Sequence, residues 1–132
     1  MSGFLNTLNI EYISDKIFKL ASPLMYHTDL LDCDIVVPIN FYSDGASVPR
    51  IPIVFDSWGD RVHREAVLHD YLYCYDSQPP HNFDESNAIF LEAMESRNVP
   101  GYISKPMYEA VCFFGKQFYN KRSYLDIIQD KH

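Results

Sequence analysis

Between Val62 and Tyr75 the chain places a histidine, an acid and a tyrosine at spacings that a helix would turn into a site. Ala66, His69, Asp70 and Tyr73 recur at three- and four-residue steps, which sets an imidazole, a carboxylate and a phenol on one helical face. A neutral imidazole titrates near working pH and takes a proton from water when its other nitrogen is held in place. Val67, Leu68, Tyr71 and Leu72 on the other side supply the apolar area that anchors such a helix. His63 stands six residues before His69 and points well away from it on an ideal helix, so the two are not expected to pair. The plainer account of a His-Asp pair inside a helix is a buried hydrogen-bond network that fixes packing.

The elements that must position this helix follow from composition and pattern. With 132 residues, the chain is expected to form a single domain, 1–132, with one core. Apolar residues at 47% and aromatics at 15% describe a folded, aromatic-rich globule. Eleven Lys and Arg stand against 18 Asp and Glu, and the net charge of -7 disfavours nucleic acid and anionic lipid surfaces in general. A bound cation would suit that balance, as would a solvated acidic surface. Cys33, Cys74 and Cys112 are odd in number and form no C-x-x-C pattern, which argues against a disulfide framework and a thiolate zinc site. No stretch is long and apolar enough to span a bilayer, and the N-terminal residues lack the pattern of a secretion signal.

An α+β fold is expected: a small antiparallel β-meander over about residues 9–42, followed by three helices at about 60–75, 83–97 and 105–120. Asn9–Tyr12, Lys16–Leu20, Pro23–Tyr26 and Asp34–Val37 read as strands, and Pro38 ends the last. Asn40–Arg50 reads as a shaped loop with Asp44-Gly45 at its turn, and Trp58 is expected over the helix entrance. Asp60 should cap the first helix, and Asn82 with Glu85 should cap the second as a capping box. Ser104 should start the third, with Met107, Val111, Phe114 and Phe118 as its core stripe and Gly115 at a close helix crossing. His27, His63, His81 and His132 form no cluster and read as surface residues.

The segments Pro38–Arg50, Ala66–Tyr73 and Phe90–Met94 resemble the phage-associated domain-of-unknown-function family 1353, over roughly residues 23 to 118. That resemblance implies an origin in a bacteriophage or prophage, synthesis in a host cytoplasm, and no settled activity. Separately, His69-Asp70-Tyr71-Leu72-Tyr73 is similar to the active-site helix of phospholipases A2, whose pattern is His-Asp-x-x-Tyr. This likeness implies His69 as the base for a water, Asp70 as a calcium ligand and Tyr73 as a hydrogen-bond donor behind the base. Calcium takes several hard oxygens and polarises an ester carbonyl, and Asp44 and Gly45 would stand where those enzymes have their calcium loop. The chain departs from them in carrying one Gly in that loop, Leu72 in place of a Cys, and no disulfides.

Those lipases hold the histidine with a carboxylate on a second, antiparallel helix. With the helices ending near Tyr75 and starting near Phe83, the position level with His69 falls close to Ile89, at ~1.5 Å of rise per residue. Asn87 is the nearest polar residue, and Asp84 lies closer to the level of Tyr73. An Asn does not offset imidazolium charge as a carboxylate does.

Three functions compete. The first is a phage-encoded, phospholipase-A2-like, calcium-dependent ester hydrolase acting on phospholipid or another ester. The second is a non-catalytic virion component, from tail or assembly, that docks on phage structural proteins and is incorporated in the particle. The third is a zinc-dependent hydrolase, such as a cell-wall peptidase, using His63, His69 and Asp70; its six-residue His spacing is poor for one metal. Asp44, Ser47 and Arg50 also fit a purely structural knot.

Overall fold

The structure, a computed structural model, describes residues 1–14, 17–43 and 62–127. Asp44, Gly45, Ser47, Arg50, Trp58, Asp60 and His132, each singled out in the sequence, lie outside the described residues.

The described residues begin with six short strands: β1 (Gly3–Phe4), β2 (Ile10–Tyr12), β3 (Phe18–Leu20), β4 (Leu24–Thr28), β5 (Cys33–Val37) and β6 (Tyr42–Ser43). The α+β class holds, and the strands divide between two antiparallel three-stranded sheets, ordered β1-β4-β5 and β2-β3-β6. Tyr26 pairs with Ile35 across β4 and β5, and Phe18 with Ser43 across β3 and β6. Alternation is clean in β4, where Leu24, Tyr26 and Thr28 face inward. β1 and β6 have two residues each, too short for a periodic signal in the sequence.

Among the described residues four α-helices follow, with a 3₁₀ turn at Gly115–Gln117: α1 (His63–Leu72), α2 (Phe83–Ser96), α3 (Gly101–Phe114) and α4 (Tyr124–Ile127). α1 is shorter than expected. Val62 occupies its N-cap position without a side-chain cap, and its last carbonyls are taken by side chains: the Leu72 carbonyl lies 2.6 Å from His81 Nε2 and accepts from Ser77 Oγ. His81 is therefore a half-buried tie, not the surface residue expected. His27 sits beside Asp29 and Asp34, and the His63 ring stacks on Phe18 with centroids 5.4 Å apart.

α2 starts with the capping box expected of Asn82 and Glu85. It stops in a Schellman motif: Asn98 takes φ 62°, Asn98 N–H donates to the Glu95 carbonyl, and Val99 N–H donates to that of Met94. Pro100 then opens α3, so that helix begins at Gly101 instead of near Ser104. The expected stripe on α3 holds only in part. Met107 and Val111 are buried with Ile103 and Ala110, whereas Phe114 and Phe118 are 53% and 42% exposed. The 3₁₀ turn after Phe114 breaks the 3.6-residue period before Phe118, while Phe114 itself closes α3, past Val111, the last buried residue of that helix.

α2 lies between two apolar clusters. Ile89 and Ala93 join Leu20, Tyr26, Ile35, Val37, Leu68 and Leu72 over the sheets, while Phe90 and Met94 join Ile103, Met107 and Val111 on α3. α1 is buried nearly all round from Val67 to Leu72, so its polar side chains are interior groups that must find partners.

Candidate functional site

His69, in the middle of α1, is fully buried, and its Nε2 lies 2.8 Å from Asn87 Oδ1 on α2. The Tyr73 hydroxyl, one turn further along α1, donates to the same oxygen at 2.8 Å. A phenol is a donor here, which fixes that end of the amide as the acceptor. Nε2 is then the protonated nitrogen of the neutral imidazole, and Nδ1 carries the lone pair. Burial holds the His69 imidazole down to about 4, only partly opposed by its bond to Asn87, so it is neutral at pH 7. Burial also pushes the Tyr73 phenol up, which keeps it a donor.

Packing locks the group. The His69 ring sits 4.0 Å from that of Tyr73 and 4.8 Å from that of Phe90, centroid to centroid. Tyr73 stands edge-on to Tyr119 at 5.2 Å, and its backbone carbonyl accepts from Asn120 N–H. Gly115 makes room for the hydroxyl: a Cβ there would lie 2.2 Å from Tyr73 Oη. The expected helix crossing at Gly115 is thus a seat for the phenol. Asn87 Nδ2 is buried with no hydrogen-bond partner among the described residues. Such an orphan donor costs about 1–3 kcal/mol, a cost that a bound group would relieve.

Asp70 points to the sheets, about 100° around the helix from His69. Its Oδ2 accepts from Ser43 Oγ at 2.5 Å, and the residue is 2% exposed. Among the described residues no group of three or more His, Cys, Asp or Glu could hold a metal ion. Asp84 is exposed and stays outside the His69 network. Burial pushes the Cys74 thiol up to about 12, which removes it as a nucleophile.

Sequence reasoning missed two partners. Ser43 is 27 residues from Asp70, and only strand pairing brings it there. Glu65, fully buried one turn before His69, accepts from Arg97 Nη1 with both carboxylate oxygens, at 2.8 and 3.0 Å. The i, i+4 spacing of Glu65 and His69 on a helix was the signal available for it.

The family model described as a protein of unknown function, DUF1353, matches residues 18–111. The chain belongs to that family. Comparisons with curated proteins and with solved structures returned no match. In this DUF1353 chain the matched span runs from β3 into α3 and so includes His69, Asp70, Tyr73 and Asn87, while β1, β2 and Gly115 fall outside it.

Proposed function

We propose that this DUF1353 chain is a phage-encoded hydrolase of phospholipid or related esters, with a phospholipase-A2-like base at His69. One observation carries the reading: a single amide oxygen, Asn87 Oδ1, takes both His69 Nε2 and the Tyr73 hydroxyl across two helices. That arrangement sets the tautomer with its lone pair on Nδ1, the nitrogen that would take a proton from water attacking an ester carbonyl. Asn87 orients the ring without adding charge, so the imidazolium formed in the reaction gains little from it and turnover is slow. Full burial of His69 requires that the site open before water or substrate reaches it. Asp70, with Asp44 and Gly45, would hold a calcium ion, whose contribution would be to polarise the ester carbonyl. The described residues bring one carboxylate to that set.

The test is release of fatty acid from phosphatidylcholine vesicles, with millimolar calcium and with a chelator. The expected result is slow release that His69→Gln abolishes at unchanged melting temperature. Equal release from the folded His69→Gln variant, or none from the wild type under either condition, would remove the proposal.

A second reading, a virion component, is favoured by an exposed aromatic cluster on α3: Phe113 is 80% and Tyr102 74% exposed, with Phe114 beside Phe113 at 4.8 Å. It expects co-purification with particles that survives His69→Gln and is lost in Phe113→Ser. The zinc reading draws no support among the described residues, because His63 stacks on Phe18 while His69 faces Asn87.

A further inference from the structure

A second polar place lies at the other end of α1. Where β1 and the segment after it pass the start of α1 and the end of α2, a cavity of about 470 Å³ opens, with Asn6, Thr7, Arg64, Ser96 and Arg97 in its lining. The two guanidinium groups there are not equivalent. Arg97 gives Nη1 to both carboxylate oxygens of Glu65, and Glu65 is fully buried, so that acid is committed to its partner. Burial pushes the Glu65 carboxyl up and the Arg97 charge opposes it. Arg64 has no hydrogen bond to a described residue, and its Nε is buried with no partner.

Among the described residues the cavity has no acidic side chain in its lining. Among the described residues the two guanidinium groups share one acid, Glu65, which leaves one positive charge over in a chain whose net charge is -7. A half-buried guanidinium with an unused inward N–H is costly unless an acceptor meets it. Its planar fork matches two oxygens of one anion, which a water or a single carbonyl does not. We infer that this cavity binds a phosphate-type oxyanion, with Arg64 as the donor and Arg97, held by Glu65, as the second cationic wall. The site is separate from His69: five helical residues place the two side chains about 140° apart around α1. Its test therefore reads binding and stands whether or not His69 hydrolyses anything.

The probe is inorganic phosphate, titrated into the full chain against chloride at matched ionic strength and followed by amide chemical shifts. Saturable shifts around Arg64, on the order of millimolar Kd, are expected. Arg64→Gln should weaken binding tenfold or more, and Arg64→Lys, which keeps the charge and loses the fork, by a smaller factor. A readout on the wild type covers the case in which the variants do not fold: phosphate should protect Arg64 from phenylglyoxal, as measured by mass spectrometry. No saturable response beyond chloride, no protection, or equal binding by folded Arg64→Gln overturns the inference. Phosphatidylglycerol vesicles, with phosphatidylcholine as control, identify the source. Co-sedimentation lost in Arg64→Gln assigns the oxyanion to a lipid headgroup, and phosphate binding without co-sedimentation assigns it to a soluble phosphorylated molecule.

Discussion

α1 and α2 meet through two buried polar pairs, and the helices treat them differently. At the start of α1, Glu65 receives a full counter-charge from Arg97 near the end of α2. One turn on, His69 faces the neutral oxygen of Asn87. The first pair is a clamp, in which a fully buried acid is held by a partly exposed guanidinium. The second is an uncharged base held in one tautomer, kept neutral by the same burial that Glu65 survives through its partner. Two contacts between the same pair of helices thus do different things: one fastens the helices, and the other sets up a lone pair.

Breaking the clamp should have the largest effect. Arg97→Met leaves Glu65 buried without its partner and should cost about 3–5 kcal/mol in urea unfolding, whereas Glu65→Met with Arg97→Met should recover much of it. If the single variant lost less than about 1 kcal/mol, the clamp would be no stronger than a surface pair.

The His69 side of the comparison predicts a pH dependence of the opposite origin. Its folded value of about 4 lies below the ordinary 6.5, so the unfolded chain binds the proton first. Stability present above pH 6.5 is lost as pH falls through 4, by roughly 3 kcal/mol in total. Melting followed across that window should show the slope in the wild type and a flatter one in His69→Gln. An equal slope in both would place the titrating group elsewhere.

Gly115→Ala should come next. The new Cβ meets the Tyr73 hydroxyl and its ring, so the phenol has to leave Asn87, at a cost of about 1–3 kcal/mol for overpacking. Removing that hydroxyl directly, in Tyr73→Phe, should cost about 1 kcal/mol, the net worth of one hydrogen bond. In combination the two changes should be far from additive, because Phe vacates the space that Ala needs. Additive losses would show that Gly115 acts on something other than Tyr73.

The His69 half of this contrast was readable from the chain alone, and the Glu65–Arg97 half was not. Helical periodicity put His69 and Tyr73 on one face, and rise per residue brought Asn87 level with them, because two antiparallel helices joined by a short turn leave little choice of register. The α+β class was legible for the same reason: long periodic segments are local. Ser43 beside Asp70 was not, since it depends on which strands pair, and β6 is two residues long. Phe118 misled the reading because periodicity assumes that a helix continues, and α3 gives way to a 3₁₀ turn at Gly115; Phe114 keeps the helical period but lies past the last buried residue of α3, Val111. Asp84 sat at a plausible level, yet it is exposed while Asn87, one turn on, is buried.

The most direct test of the neutral-base account is the long-range proton-nitrogen spectrum of His69 in the ¹⁵N-labelled chain, recorded through a pH titration beside Asn87→Asp. The account predicts a proton on Nε2, a lone pair on Nδ1 and titration near pH 4 in the wild type, with Asn87→Asp moving that titration upward because a carboxylate now faces the ring. A proton on Nδ1, or titration near pH 6.5 that Asn87→Asp leaves in place, would contradict it.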